Sequence, residues 1–264
     1  MGINPGLSVG GTKNFTDQFS MGLWLGRAQR SGSMTERFIN YFPVGEDPYE
    51  MVGNPLIDPE VNNQADLNFR WEANQTVLQL DLFVAYMQDF ISSSIDTTLS
   101  PKLPSSPGVR RYQNIDKAFK TGFETSWSQL LFAGLQHQLS VAYTYAQDLV
   151  KEAPLPEIPP LDLRYHLSGN YLKNRLSPYI TFRHVVEQAR TSAEFGETVT
   201  PSFSIIDLGL SMRINQMLGF TAGVENLLDV NYYEHLSRSA RGATAVPIHA
   251  PGRNFFLSFN LDFR

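Results

Sequence analysis

Apolar and polar residues alternate with a period of two along many short segments of this chain. In the segment 254–263 every odd-numbered residue from Phe255 to Phe263 is apolar, and most of the even-numbered residues are polar, with Phe256 as the exception. Successive side chains of a β-strand point to opposite faces of a sheet. The alternation therefore predicts a strand whose two faces meet different environments.

The same alternation recurs along the whole chain, for example in "ADLNFRWE", "VLQLDLFVAY", "QLSVAYTYA" and "IDLGLSMRI". A period of two over such stretches is typical of strands and not of helices. The sequence predicts an all-β fold of about eleven strands, which lie at 2–10, 16–29, 65–73, 76–91, 117–130, 135–149, 162–173, 177–190, 203–214, 217–226 and 254–263.

Short and long connections alternate without a break between these strands. The short ones lie near 11–15, 73–76, 131–135, 173–177 and 214–217, and the long ones near 30–64, 92–116, 150–161, 191–202 and 227–253. This order predicts an antiparallel meander with tight turns at one end and long loops at the other. Transmembrane β-barrels of the outer membrane have this arrangement, whereas soluble β-sandwiches mix loop lengths.

The pattern alone leaves open which face is inside. In a soluble barrel the apolar row would point inward and the polar row would meet water. However, the apolar rows are rich in aromatic residues near strand ends, such as Trp71 and Tyr145, as in the aromatic girdles of membrane barrels. The opposite rows carry charges such as Arg70, Asp81 and Glu124, which need a wet interior. These features favour a transmembrane barrel.

Composition and charge exclude several classes of function. The 264 residues carry a formal net charge of −5, which argues against a nucleic-acid partner, and the absence of cysteine excludes disulfides and thiol chemistry. No stretch approaches the roughly 18 consecutive apolar residues of a membrane helix. The N-terminal segment "MGINPGLSVGG" lacks the pattern of a secretory signal. We therefore expect either that the chain is not exported as written or that its true beginning is missing.

Several motifs resemble those of TonB-dependent outer-membrane receptors. "GLWLGRAQRSGSMTERF", followed by "GNPLIDPE" and "ADLNFRW", is similar to the middle of their barrel, and "PLPEIPPLDLRYHLSGNY" is similar to the opening of a later strand. "GVENLLDVNYYEH" and "APGRNFFLSFNLDF" resemble the last two strands of the family. The wording of "IPPLDLR" and "YEHL" is most similar to the copper-receptor branch, although siderophore receptors share much of it.

The resemblance implies a 22-stranded barrel that is filled by an N-terminal plug domain, through which the TonB system supplies energy. Eleven strands and no plug make residues 1–264 one domain that corresponds to the C-terminal half of such a barrel. An odd number of strands cannot close on itself in antiparallel order. The expected partners are the missing N-terminal barrel half and plug, outer-membrane lipid, and the barrel-assembly machinery at the last strand, although the final Arg264 departs from the usual terminal aromatic residue.

The implied function is uptake of a scarce nutrient across the Gram-negative outer membrane, either a metal chelate such as a siderophore or copper. Residues of the long loops and the upper interior wall are the expected ligand contacts, and they are Arg27, Arg30, Glu36, Arg37, Tyr41, His235, Arg238, Arg241 and Arg253. Arginine dominates this set, which favours an anionic chelate over a bare cation. His235 and His249 are conceivable metal contacts but lack a further ligand at metal spacing, so we expect neither a metal site nor a cofactor.

Two other classes of function remain as alternatives. A small passive porin or structural barrel protein would need an even strand count and its own signal peptide. An outer-membrane enzyme would need a nucleophile, a base and a carboxylate at one rim, and no such set can be assembled; the "GxSxG" motif is also absent. We therefore expect a protein that is not an enzyme. His137, at a predicted turn, is expected to be solvated.

Overall fold

The computed structural model describes residues 3–43, 47–237, 239–240 and 246–262. Among them, no helix is long and apolar enough to cross a membrane. One short helix, α1, spans Met34–Phe38. The strands are β1 Gly6–Asn14, β2 Phe19–Arg30, β3 Asn40–Pro43, β4 Glu50–Val52, β5 Glu60–Ala73, β6 Thr76–Ile95, β7 Val109–Leu130, β8 Leu135–Asp148, β9 Ala153–Pro154, β10 Asp162–Gly169, β11 Leu176–Val185, β12 Phe203–Arg213, β13 Leu218–Glu225, β14 Ser239–Ala240, β15 Val246–Pro247 and β16 Asn254–Leu261.

Eleven of these strands form the predicted meander. Each pairs antiparallel with the next, in the order β1, β2, β5, β6, β7, β8, β10, β11, β12, β13 and β16. The short strands β3, β4 and β9 attach at the end of the sheet that carries the long loops, and β14 pairs with β15 in a separate hairpin. The prediction of an all-β antiparallel meander is therefore confirmed, and the sheet is open at both edges.

The register of the strands separates their side chains into two faces. One row across five neighbouring strands is entirely apolar or aromatic, and it consists of Leu23, Leu67, Leu82, Phe123 and Tyr143. The next row on the opposite face is largely polar, and it consists of Gly22, Asn68, Asp81, Glu124, Ala142 and Asp162. We call these the outer face and the interior face. Large apolar side chains of the outer face are exposed, as at Leu25 (49%) and Leu257 (61%).

The exposure of a continuous apolar face decides whether that face meets a protein core or lipid. A soluble barrel would bury these side chains, and a monomeric soluble protein rarely exposes apolar patches larger than a few hundred Å². A face of this kind is suited to lipid, with the charged face lining a wet interior.

The first strand lies four residues later than predicted, because the glycine pair at positions 10 and 11 favours the end of a strand and a turn from residue 11. In the structure both lie inside β1, which runs to Asn14. A Cβ at Gly10 would lie 2.5 Å from the Leu23 carbonyl oxygen and 2.6 Å from the Trp24 ring. Gly10 therefore makes room for the indole of Trp24 on the interior face.

A similar contact explains Phe256, the exception in the last strand. Phe256 is paired with Gly223 across β13 and β16, and its ring lies 2.6 Å from the position of a Cβ on that glycine. The aromatic ring thus covers backbone that the glycine leaves bare, which is a recognised way to stabilise glycine in a strand. Phe256 is on the interior face because it fills this gap.

The hairpin of β6 and β7 extends further than predicted, with 20 and 22 residues. The pairing is interrupted between Gln88 and Phe90, where Asp89 has a positive φ of 54° and Asp116 is unpaired on the other strand. It then continues to Ile95 and Arg110. The interruption separates the barrel wall from a two-stranded ribbon that supports the long loops. The alternation of apolar and polar residues does not reveal this boundary.

His137 is buried, contrary to the expectation of a solvated turn residue. It is 6% exposed, and its ring centroid lies 4.6 Å from that of Trp127 and 5.9 Å from that of Tyr165. All three residues lie on the outer face near the tight turns. This end of the outer face therefore has the aromatic cluster expected at a membrane boundary.

The first and last strands of the meander have unpaired edges. With eleven strands in antiparallel order, β1 and β16 run in the same direction and cannot close the sheet in the pattern of the rest. Exposed apolar side chains, such as Leu7 (76%) and Phe255 (74%), lie beside these edges. Unpaired main-chain groups are costly in lipid, so both edges need further strands.

The topology predicts which segments face outside in intact cells. The turn at Asn74 and the loop residue Ser105 are both exposed and lie at opposite ends of the sheet. Because the chain has no cysteine, single Cys variants report one site each. If this sheet is part of an outer-membrane barrel, a membrane-impermeant maleimide added to intact cells should label Ser105→Cys and not Asn74→Cys. The reverse labelling would contradict the topology.

The open edges predict the behaviour of the isolated chain. Residues 1–264 alone should aggregate or depend on partner strands in detergent, because neither edge can be satisfied internally. Sedimentation and protease digestion test this directly. A monodisperse, protease-resistant monomer that migrates faster unheated than heated would count against two open edges.

Candidate ligand-binding mouth

The long loops fold inward over the interior face. Leu155 packs on Met87, Ala118 and Ala146, with Ile158 of the same loop beside them. Residues 230 and 232 of the last loop pack in the same way on Val185, Phe203 and Ile205. The wall residues of both clusters belong to the interior face, so this face is apolar where loops cover it. Burial of these side chains fixes the loops over the mouth of the barrel.

Arg110 joins three of the loop segments. It is only 2% exposed and forms an ion pair with Asp47. Its guanidinium lies 4.7 Å from the ring centroid of Tyr49 and 3.9 Å from that of Phe195. A buried arginine that is both paired and stacked is a strong contact, because removal of one partner leaves an uncompensated charge. Segments 47–49, 109–111 and 195–197 are thereby held together.

The first two long loops are also joined by Glu50, which is 1% exposed. Its Oε2 accepts a hydrogen bond from the backbone N–H of Lys102 at 2.6 Å. β4, which contains Glu50, runs parallel to the start of β7. Buried carboxylates are retained where backbone donors satisfy them, so this contact fixes the second loop to the first.

Glu197 connects the third, fourth and fifth long loops. Its carboxylate accepts hydrogen bonds from the backbone N–H of Glu157 at 2.6 Å and of Ser192 at 2.8 Å. His235 Nε2 lies 3.6 Å from Glu197 Oε1, which is too long for a hydrogen bond, and His235 Nδ1 lies 2.9 Å from Thr200 Oγ1. Burial raises the pKa of Glu197, but the contacts with His235, Ser192 and Glu157 outweigh burial and hold the pKa below its usual value.

The last loop is tied to the wall by a second charged group. Arg183 on the interior face of β11 binds Asp162 of β10, with Nη2 2.8 Å from Oδ2. The same guanidinium binds Glu234, with Nη2 3.1 Å from Oε2. One arginine thus joins two strands to the loop that carries His235. Together these contacts make the loops one connected layer.

The predicted ligand residues fall into different environments. Arg30 is on the interior face, half exposed, and binds both Glu36 and Glu60, at 2.9 and 3.2 Å. Burial raises the pKa of Glu36, but hydrogen bonds from Ser33 and Arg30 outweigh it, and the pKa lies below the ordinary value. Arg30 and Glu36 therefore form a charged pair at the rim of the mouth.

Two residues of the set are held by local contacts. Arg37 donates to the backbone oxygens of Gly32, Pro55 and Ile57 at 3.2, 2.6 and 2.7 Å, so its guanidinium supports the loop. The side chain of His235 is 3% exposed in the contacts described above. Both residues fix loop geometry in this structure.

The other predicted residues are more dispersed. The ring of Tyr41 lies 3.9 Å from Lys102 Nζ, and Arg253 is exposed at the start of the last strand, where its backbone N–H donates to Asp229. Arg27 is on the outer face, paired with Asn63. Arg238 and Arg241 lie outside the described residues. Among the described residues, no three His, Asp or Glu side chains come together in a way that could hold a metal ion.

Sequence reasoning missed Arg110, Glu197 and Arg183 as the residues that organise the mouth. Arg110 fell in a predicted loop, and Glu197 is a lone acidic residue in a polar segment. Arg110 is 63 residues from its partner Asp47, and Arg183 is 51 residues from Glu234. No local sequence pattern indicates pairs so far apart.

Loss of the Glu197 charge should loosen three loops at once. In Glu197→Gln, acceptor strength towards Ser192 and Glu157 falls, and we expect a loss of about 1–3 kcal/mol of local stability. Hydrogen exchange in 226–237 should rise, and Glu194→Gln, which removes only an exposed pair with Lys151, is the matched control.

The same variant has a pH signature. Because the pKa of Glu197 is lower in the folded loops than its ordinary value of 4.5, its contribution is present above about pH 4.5 and is lost as the pH falls below that value. The protection factors of wild type, which correct for the slower intrinsic exchange in acid, should therefore fall in acid towards those of Glu197→Gln. Equal exchange in both proteins at neutral pH would contradict the assigned role.

Comparison with known proteins agrees with the fold. A model of the family "TonB dependent receptor-like, beta-barrel" matches residues 7–227. The iron-regulated outer membrane virulence protein of Vibrio cholerae serotype O1 is 25% identical over 200 residues, which are 70% of this chain and 30% of that protein. The ferric-pyoverdine 358 receptor of Pseudomonas putida is 24% identical over 221 residues, 81% of this chain and 25% of that one.

Solved structures show the same architecture. The copper transporter OprC superposes with a TM-score of 0.83 at 23% identity over 97% of this chain and 39% of its own. The ferric enterobactin receptor PfeA of Pseudomonas aeruginosa superposes with a TM-score of 0.73 at 19% identity, over 98% of this chain and 40% of its own. The chain thus spans less than half the length of these structures and under a third of the curated relatives.

The family model covers most of the chain, and the eleven-stranded meander superposes on a solved structure over 97% of its length. The chain belongs to the family of TonB-dependent receptor-like β-barrels.

Proposed function

We propose that this chain forms the C-terminal part of the barrel of a Gram-negative outer-membrane receptor that takes up a metal chelate. Energy would come from the TonB system through a plug domain. Strands that this chain lacks would complete the barrel at both open edges, and the barrel-assembly machinery would engage the last strand. The observation that carries the proposal is the connected layer of long loops at one end, over an interior face of charged and hydrogen-bonding side chains.

The arrangement supports uptake through a gated mouth more than passive flow. A passive pore needs only a wet interior, whereas here loops from all along the chain are tied by buried charges at Arg110 and Glu197. Such contacts hold a surface in one geometry, which selective recognition requires. The receptors and transporters named above also have this barrel, which supports a transport role over that of an enzyme.

An anionic chelate suits the mouth better than bare copper. The exposed cations Arg30 and Arg253, with Arg238 and Arg241 beyond the described residues, offer donors for carboxylate or catecholate oxygens. Glu36 and Tyr41 complete the proposed contact set. His235 is enclosed by Thr200 and Glu197, and His249 lies with its ring 5.3 Å from Tyr233. Copper is the second candidate, because a copper transporter is among the superposed structures.

Variants of the exposed cations test the preference. In the complete receptor, Arg30→Gln combined with Arg253→Gln should raise the KM for uptake of a ferric siderophore tenfold or more, because each hydrogen bond to a charged group contributes about 1.5–3 kcal/mol. Lys173→Gln, at an exposed turn on the opposite end, is the matched control and should leave uptake unchanged.

Free and chelated metal can be compared in the same cells. His235→Ala with His249→Ala should change uptake of both substrates alike, because His235 supports the loops. Thr200→Val, which removes the partner of His235 but keeps the imidazole, should reproduce this effect. A loss confined to free copper in the histidine variant alone would favour the copper receptor. Unchanged KM in the arginine variant would remove the anionic-chelate proposal.

A further inference from the structure

The first long loop, between β2 and β5, has a covered part and an uncovered part. In the covered part, β4 pairs with the start of β7, and its residues Glu50 and Met51 are buried. In the rest of the loop, large apolar side chains of α1, β3 and the following turn are exposed, and Leu56 is 87% exposed. We call this set the first-loop patch, and it consists of Met34, Phe38, Phe42 and Leu56.

The patch is unusual among the long loops. Met34, Phe42 and Leu56 are each more exposed than any large apolar side chain described in the other four long loops. Exposed apolar patches within a polar surface mark sites where another segment or protein binds. The first loop therefore has a surface for a partner that this chain does not supply.

The patch has a rigid support. Ser33 and Glu36 form a capping box at the start of α1, in which each side chain accepts from the backbone N–H of the other residue. Arg37 joins α1 to the following turn through the backbone oxygens given above. Met34 and Phe38 are four residues apart on this helix, so they lie on one face. The apolar side chains are thus presented on a backbone that the loop itself holds in place.

An open strand edge belongs to the same surface. β3, which carries Phe42, pairs with β4 and with no other strand in the part of the chain that the structure describes. Its second edge presents main-chain donors and acceptors beside an exposed aromatic ring. Such an edge can pair with a further extended segment, in which main-chain hydrogen bonds add to the burial of side chains.

The chain that leads into β1 passes next to this loop. The Pro5 carbonyl accepts from the Gln29 N–H at 3.0 Å, and the Ser31 hydroxyl donates to the Asn4 side chain at 2.7 Å. Ser31 is three residues before Met34, which is about 10 Å of extended chain. A segment that precedes β1 therefore lies within reach of the first-loop patch.

We propose that the first-loop patch binds the long loop that joins β1 to the preceding strand of the complete receptor. The turn between β1 and β2 is at the opposite end of the sheet, so a strand before β1 connects to it at the mouth. This chain covers only 39% and 40% of the two superposed structures, which leaves room for such strands. The occupant is an extended segment with apolar side chains that pairs along the open edge of β3.

The loop contacts described above support this occupant. Neighbouring long loops are joined by buried groups, as Glu50 joins the first loop to the second. The proposed contact continues the same layer past β1. This inference rests on the C-terminal position that the proposed function gives to the chain, but not on the identity of the transported ligand.

Photo-crosslinking in the complete receptor tests the contact. With Phe42→p-benzoylphenylalanine, irradiation of cells should join position 42 to the loop before β1 of the same polypeptide, as mapped by mass spectrometry. The control is the same replacement at Val150, an exposed apolar residue of the third long loop, which should give no such product.

A second pair of variants measures the stabilisation. Phe42→Ser with Leu56→Ser should speed hydrogen exchange in the loop before β1 about tenfold or more, which is the effect of losing the burial of one large apolar side chain. Val150→Ser should leave this exchange unchanged. Equal exchange in wild type and the double variant would contradict the proposed contact.

The crosslinked product also distinguishes the occupants. A product between two receptor chains would assign the patch to a second copy, and a product that added ferric siderophore abolishes would assign it to the transported ligand. Either result, or no product with the preceding loop, would overturn the proposal. Chelate uptake in the same cells tests the proposed function separately, because a crosslink without uptake would contradict transport and leave the loop contact standing.

Discussion

The strand register that keeps Leu82 on one face and Asp81 on the other is the constraint on which the rest of this structure depends. A slip of one residue between neighbours would exchange the two faces and place the interior carboxylates in lipid. An ionised arginine or lysine at the middle of a bilayer costs about 2–4 kcal/mol in a barrel, and a carboxylate costs less. The ladder of antiparallel main-chain hydrogen bonds and the separation of faces therefore stabilise each other. Neither is complete at β1 and β16, where the ladder ends without a partner.

The interior face then determines how the mouth is built. Where loops cover it, the wall carries Met87, Ala118, Val185 and Phe203, and elsewhere it carries charges that remain wet. Burial fixes the loops, and the buried charge of Arg110 prevents their rearrangement, because separation from Asp47 would leave a charge without a partner. We propose that a mouth formed in this way is preorganised for an extracellular ligand.

Much of the fold followed from the sequence, because the period of two is local information. The eleven strands, their order and the two ends could be predicted, whereas the ends of individual strands could not. The pair of glycines at 10 and 11 suggests that the first strand ends there, whereas Gly10 leaves space for Trp24 on the neighbouring strand and β1 continues to Asn14. Phe256 breaks the alternation because its ring covers the backbone at Gly223 on the neighbouring strand. The residues that organise the loops act over long sequence separations, so the sequence alone does not reveal them. It favoured the arginines of the predicted loops and upper wall instead. The structure places Arg27 on the outer face and Arg37 against backbone carbonyls of the first long loop.

The central claim is that alternate residues of each strand face lipid and water; in the last strand the odd-numbered residues face lipid and the even-numbered residues face water. Leu257 and Ser258 are adjacent in sequence and lie on opposite faces. Single cysteines at these positions in the complete receptor, labelled with a fluorophore in bilayers of brominated phosphatidylcholine, measure contact with acyl chains directly. We expect strong quenching from position 257 and little from position 258. Equal quenching at both positions, or stronger quenching at 258, would contradict the assignment of the faces and with it the transmembrane barrel.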